Sequence, residues 1–197
     1  MTAPFDPPVA LASLSGEADA AWALAAEDHV GCAFLGGIAL DEPTRAAARE
    51  MVGRDRSEFL PPDPVAFVDE QFRALADAGL RPAVNVRTGS TGPLREVGAV
   101  CREHGAILEV NAHCRQEEMC AAGAGHALLR DPDRLGEQVR AAAETGATTS
   151  VKVRTEVERV DLPAVCRTAA EAGADLIHVD AMDSEPVVAD VAGAVGP

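Results

Sequence analysis

Thr149-Ser150-Val151-Lys152-Val153-Arg154 is a β-branched run with two basic side chains at alternate positions. An alanine-rich stretch at helical spacing follows over 161–172, then Gly173, then a second apolar run, Asp175–Asp180. Strand, helix, glycine, strand is the signature of a βαβ unit and of a parallel sheet. Reading outward, the unit repeats. Further apolar runs lie at Val9–Leu14, Val30–Leu35, Ala83–Arg87 and Ile107–Asn111, and candidate helices at 17–27, 42–54, 64–78, 93–104, 134–145 and 184–194. Gly79, Gly105, Gly146 and Gly173 each stand where a left-handed residue would end a helix. Pro61-Pro62-Asp63-Pro64 reads as a rigid turn with Asp63 as N-cap and Pro64 as first helical residue.

Two architectures share this rhythm. A doubly wound open sheet calls for a glycine-rich phosphate turn after its first strand, and Ser13-Leu14-Ser15-Gly16 is not GxGxxG. A TIM barrel gathers its polar chemistry at the carboxyl ends of many strands. Here those ends carry Ser13 and Ser15, then Asn85, Arg87 and Thr88, then Asn111, His113 and Cys114, then Lys152 and Arg154, then His178 and Asp180. The expectation is therefore an α/β parallel (β/α)8 TIM barrel, incomplete, with six βα units forming a single partial domain over 1–197. Eight units take about 250 residues, so strands seven and eight are expected outside this sequence. Ala192-Gly193-Ala194-Val195-Gly196-Pro197 reads as the approach to a seventh strand. A C-terminal segment or a homo-oligomer would complete the barrel and cover its edges.

Composition narrows the partners. Of 197 residues 47% are hydrophobic and 25% charged, so a core can form, and Lys+Arg 17 against Asp+Glu 32 gives −15. That balance disfavours a face gripping phosphates by counterion release. An acid-rich, alanine-rich chain with a single lysine, Lys152, fits a halophilic or GC-biased source. Residues 1–6 lack a basic and apolar leader, and no run approaches the ~18 apolar residues of a membrane span, so a cytoplasmic protein without membrane association is expected. Cys32, Cys101, Cys114, Cys120 and Cys166 contain no CxxC and are odd in number, which predicts reduced thiols, mostly in the core, with at least one reactive.

Lys152 is the most informative residue. A chain that uses arginine elsewhere has kept an amine on a strand, on the same side as Arg154 by alternation. Burying a cation is costly unless it is paired. Lys152 is therefore read as a compact donor to an anionic or carbonyl-rich ligand, with a structural ion pair as the alternative. The second cluster is Glu109-Val110-Asn111-Ala112-His113-Cys114-Arg115-Gln116, followed by Gly123-Ala124-Gly125 and the helix-like stretch from Ala127 into Pro132. Asn111 can donate and accept toward a flat heteroaromatic ring, and a loop thiol at Cys114 can transfer a proton. The alternatives are a polar loop with incidental thiols, or zinc on His113, Cys114, Cys120 and His126, whose spacing matches no common finger. Trp22 reads as packing, and His29 and His104 as residues of the opposite barrel face. The run Arg49, Arg54, Asp55, Arg56 and Glu58 reads as a solvated helix end, or as a lid over the mouth.

These residues resemble a known family. Val110-Asn111-Ala112-His113-Cys114, the stretch from Gly123 to Pro132, Ser150-Val151-Lys152-Val153-Arg154 and Ala172-Gly173-Ala174-Asp175 are similar, in order and spacing, to the flavin-dependent dihydrouridine synthases, in particular their archaeal TIM-barrel relatives. The likeness is specific over about 107–182. Ala12-Ser13-Leu14-Ser15-Gly16 and Val84-Asn85-Val86 are similar to the family's first-strand loop and third strand. The resemblance implies FMN across the mouth, with NADPH or NADH as reductant and a pyrimidine, free or in tRNA, as substrate. It implies Asn85 at the flavin's pyrimidine edge, Lys152 near N1 and O2, Asn111 lining the pocket and Cys114 as general acid. Ser13, Arg154, His178 and Asp180 would complete the cofactor's surroundings. The chain departs from the pattern at His113-Cys114-Arg115, where the family has Gly-Cys-Pro, and at Asp180, which occupies the register of a family histidine, His178 lying two residues earlier. Asn85 stands where the family more often has glutamine. Dihydroorotate and dihydropyrimidine dehydrogenases share the Asn…Cys…Lys layout and form the runner-up reading, with a flavin-free barrel remnant as the non-catalytic alternative.

Overall fold

The computed structural model describes residues 4–182 and 184–196. Six parallel strands, β1 (Ala10–Leu11), β2 (Cys32–Ala39), β3 (Arg81–Arg87), β4 (Ile107–Ala112), β5 (Thr148–Arg154) and β6 (Leu176–Asp180), pair in chain order into one sheet. Between and after them lie α1 (Ala20–Leu24), α2 (Glu42–Val52), α3 (Pro64–Ala74), α4 (Gly92–Glu103), α5 (Glu117–Ala121), α6 (Pro132–Ala143), α7 (Leu162–Glu171) and α8 (Pro186–Val195). A 3-10 turn occupies Gly125–Arg130. The sheet is an incomplete TIM-like barrel, and a contact across it shows the curl. Phe34 on β2 and His178 on β6 have ring centroids 5.7 Å apart, whereas four strand spacings of about 4.8 Å would hold them far apart in a flat sheet.

Alternation assigns the two faces. Leu35, Val84, Val86, Leu108, Val110, Val151 and Val153 point outward into one core with helix residues such as Phe72, Leu94, Val97, Leu135, Val139 and Val165. Inward, Cys32, Phe34, Ala83 and Ile107, with Leu176 against them, form an apolar floor. Above the floor the inward positions turn polar. Asp-capped helix starts recur, each with proline in the first turn: Asp63 accepts from the backbone N–H groups of Val65 and Ala66 at 3.0 Å, and Asp41, Asp131 and Asp161 cap α2, α6 and α7.

Several boundaries differ from the sequence expectation. β2 continues through Gly36-Gly37 to Ala39, because a register shift between Gly36 and Ile38 accommodates the glycines within the sheet. β1 shrinks to two residues. Gly105, Gly146 and Gly173 have φ of +63, +81 and +112°, whereas Gly79 is not left-handed. Residues 192–195 continue α8 instead of approaching a strand. The short α5 carries no long periodic pattern in the sequence, and Ala127–Arg130 is 3-10 rather than α.

Candidate active site

The site begins with a buried carboxylate. Glu109, fully buried on β4, accepts from Asn85 Nδ2 at 2.8 Å and Ser150 Oγ at 3.1 Å, and pairs with His178 Nδ1 at 3.0 Å. Partners on β3, β5 and β6 thus meet a charge that would otherwise be costly to bury. Asn85 Oδ1 in turn accepts from Asn111 Nδ2 at 2.8 Å. Asn111 Oδ1 then accepts the backbone N–H groups of His113 and Cys114 at 3.2 and 2.9 Å. One chain of side-chain hydrogen bonds therefore runs from the imidazole of His178 to the backbone of the Cys114 loop. The loop's other wall is Gly125, where φ is +63° and a Cβ would lie 2.3 Å from the Cys114 carbonyl oxygen, so only glycine fits. Cys114 itself is half-buried.

Lys152 points inward beside this chain and is only 5% exposed. Among the described residues it makes no hydrogen bond and no salt bridge, and it lines a cavity of about 680 Å³ with Ser13, His178 and Asp180. His113 lies within its field. Burial, and then the Lys152 ammonium, push the His113 imidazole down to about 4 against a smaller opposing pull from Asp180, so the ring is neutral at pH 7. Its Nε2 lies 3.4 Å from Asp180 Oδ2, and its Nδ1 is buried with no partner among the described residues.

A second ion pair closes the side of β1. Arg87, buried at the end of β3, donates through Nη1 to Glu58 Oε1 at 3.2 Å, pairs through Nη2 with Glu58 Oε2 and the Gly37 carbonyl, and reaches Ser15 Oγ at 3.1 Å. The side chains of Glu58 and Arg87 are both 1% exposed. Glycines permit the approach: a Cβ on Gly37 would lie 2.7 Å from Asn85 Oδ1 and 3.0 Å from Arg87 Nε, and one on Gly16 would lie 2.5 Å from the Glu58 nitrogen. The Glu58 side chain is buried, unlike the solvated helix end expected for this charge run, whereas Arg49, Arg54, Asp55 and Arg56 are exposed; Arg56 and Glu58 both line the mouth.

All eight expected residues reach this mouth. Asn85, Asn111, Cys114 and Arg154 line a cavity of about 470 Å³, Lys152 and His178 line the adjoining one, and Ser13 and Asp180 line both. Ser15, Arg56 and His113 are also shared, so the two cavities adjoin. Asn85 contributes from beneath, its amide already engaged by Glu109 and Asn111. In the sequence Glu109 stands only as the start of the Asn111–Cys114 cluster and Glu58 only within a charge run, and neither buried pair is anticipated. Two-residue spacing from Asn111 puts Glu109 on the same strand face and could have found it; nothing local marks Glu58. Among the described residues no group of three or more His, Cys, Asp or Glu side chains could hold a metal ion, and no helix is long and apolar enough to cross a membrane.

No protein-family model matches the chain. It is similar to uncharacterized protein MJ0144 of Methanocaldococcus jannaschii, 27% identical over 152 residues that cover 76% of this chain and 59% of that protein. A Rhodobacter capsulatus protein named probable tRNA-dihydrouridine synthase is 25% identical over 179 residues, covering 89% of this chain and 50% of that one. In Xanthomonas campestris pv. campestris, tRNA-dihydrouridine synthase B is 26% identical over 141 residues, 68% of this chain and 42% of its own length. Two of these three relatives are named as tRNA-dihydrouridine synthases. The identities support a distant dihydrouridine-synthase-like relationship, and the chain spans 42–59% of the length of these three proteins. A solved structure from Burkholderia cenocepacia J2315, provisionally described as a lyase/mutase, superposes with a TM-score of 0.58 over 95% of this chain and 66% of that one at 17% identity, a likeness of fold.

Proposed function

We propose that the chain forms the cofactor- and substrate-binding part of an FMN-dependent oxidoreductase that acts on the carbon–carbon double bond of a pyrimidine, in the manner of a dihydrouridine synthase. The observation that carries this reading is Lys152, a residue only 5% exposed whose ammonium has no protein partner among the described residues, on a cavity adjoining the one that the Cys114 thiol lines. A cation on a nearly buried side chain, with no protein acceptor among the described residues and facing a cavity, suits an acceptor-rich ligand, and the carbonyl edge of an isoalloxazine meets that demand. Lys152, Asn111, Arg154 and Ser13 would hold the ring system, and Asp180 would bound it. When bound, FMN supplies the hydride and is itself reduced by a nicotinamide nucleotide. The protein positions the acceptor ring and excludes water, while the Cys114 thiol gives its proton to the ring carbon opposite hydride delivery. Asn111 aims that thiol by fixing the two backbone N–H groups of its loop.

Whether the pyrimidine is free or carried in tRNA divides the reading in two. The charge of −15 favours a free base, since repulsion opposes a polynucleotide. Titration of the purified protein with FMN, followed by flavin fluorescence, tests the proposal. Saturable quenching that Lys152→Met weakens supports it. Absence of flavin binding would overturn it in favour of a non-catalytic barrel. In flavin-loaded protein, Cys114→Ala should retain the cofactor while slowing its reoxidation by substrate by about 10²–10⁴-fold, the usual worth of a positioned acid.

A further inference from the structure

Lys152 and His178 are register partners on β5 and β6, and both line the cavity of about 680 Å³. Their polar heads are opposite in kind. Lys152 offers only donors. His178 is held at Nδ1 by Glu109 Oε2, 3.0 Å away and fully buried. A carboxylate only accepts, so Nδ1 carries a ring proton, and in the neutral imidazole Nε2 is then left with a lone pair. Among the described residues Nε2 has no hydrogen-bond partner, and it is not a buried atom. Phe34 backs the ring from the apolar floor, with centroids 5.7 Å apart, and limits its rotation. Glu109 cannot readily turn away, because Asn85 and Ser150 hold its two oxygens.

We infer that Glu109 locks His178 in the Nδ1–H form so that Nε2, on the same cavity as its register partner Lys152, reads a ligand edge carrying a carbonyl next to an N–H, as in a lactam or imide. Lys152 donates to the carbonyl and His178 accepts from the N–H. Glu109 is the positioning residue and His178 determines specificity. The inference deepens the reading above, because flavin and pyrimidine both present such an edge, yet it requires no turnover. An N-alkylated ring would lose the N–H, and a simple anion would meet the lone pair of Nε2 unfavourably.

The test is a chemical double-mutant cycle by calorimetry on the wild-type chain and His178→Ala, in two arms that separate the sources of the edge. One arm compares uracil with 3-methyluracil, the other FMN with its N3-methyl derivative. In the arm whose ring occupies the edge, methylation is expected to weaken wild-type binding about tenfold, the worth of one hydrogen bond left unmade, and to cost nothing further in His178→Ala. Equal methylation effects in both proteins, in both arms, would overturn the inference while leaving flavin binding intact. Inorganic phosphate binding tighter than either ring and lost in His178→Ala would overturn it in favour of an anion site, and binding by neither ring would overturn it outright. ¹⁵N-histidine spectra at pH 8.5, above the ordinary imidazole range, test the lock separately. The Nδ1–H tautomer is expected in the wild type and the Nε2–H tautomer in Glu109→Gln, whose amide can donate to Nδ1. An Nε2–H ring in the wild type would sink the proposal even if Glu109→Gln fails to fold.

Discussion

Lys152 could be found without coordinates because composition isolates it, one lysine among 17 basic residues. Its burial has a consequence at the neighbouring ring. The ammonium helps to hold His113 down at about 4, after burial itself. Lys152→Met should therefore move the His113 titration upward, though not fully to its ordinary value, as followed by imidazole NMR; an unchanged midpoint would show that burial acts alone. The sign for stability follows. A histidine whose folded value lies below its unfolded value of about 6.5 binds fewer protons folded than unfolded, so its contribution declines as pH falls from about 6.5 toward 4. The thiols divide in the same residue-level way. Burial raises Cys32 and Cys166 to about 12 and Cys101 further, while Cys114 and Cys120 are half-buried. A maleimide is expected to label Cys114 and Cys120 in the native protein and the other three only on unfolding, as mass spectrometry of peptides would show. Glu109 escaped notice because a glutamate inside a strand looks like any solvent-facing glutamate until its partners on three other strands are known.

At the scale of elements, the sequence revealed most where period and punctuation agree. α4, α6 and α7 carry amphipathic spacing between aspartate or proline starts and glycine stops, and they lie close to where that pattern puts them. Gly36-Gly37 misled for a physical reason: glycine usually breaks a strand, but here the missing side chains are the space that Asn85 and Arg87 occupy. The burial of the Glu58 side chain could not be read, since its partner Arg87 lies 29 residues away. Glu58→Ala should destabilise the fold by about 3–5 kcal/mol by stranding a buried guanidinium, measured by urea unfolding. Glu58→Leu with Arg87→Met should recover most of that loss. Asp41 ties α2 to the turn after β3. Burial raises its carboxyl, but hydrogen bonds from Thr44, Thr88, Gly89 and Ser90 more than offset this and leave it below the ordinary range. That stabilisation is present above the unfolded value of about 3.9 and is lost as pH falls through the folded one. Asp41→Asn should cost about 1–2 kcal/mol at pH 7 and flatten the acid limb of the unfolding curve.

For the whole molecule, −15 is a net repulsion that exposed pairs such as Arg49–Glu42 and Arg95–Glu144 do little to offset. Raising NaCl from about 0.1 to 1 M shortens the screening length from about 10 to 3 Å, so Tm is expected to rise in a calorimetric scan, and a fall would show that local attraction outweighs global repulsion. The series His178, Glu109, Asn85, Asn111 and Cys114 spans three strands and one loop. Because the side chains are already bonded to one another and, at the far end, to the backbone N–H of Cys114, the series works as a ruler: the gap between the imidazole and the Cys114 loop is preset, and on the proposed reading a guest would be selected by its length as well as its charge. Little ordering would then be left to do on arrival, so a flat ring of the proposed kind and matching span should be held more tightly than longer or floppier ones.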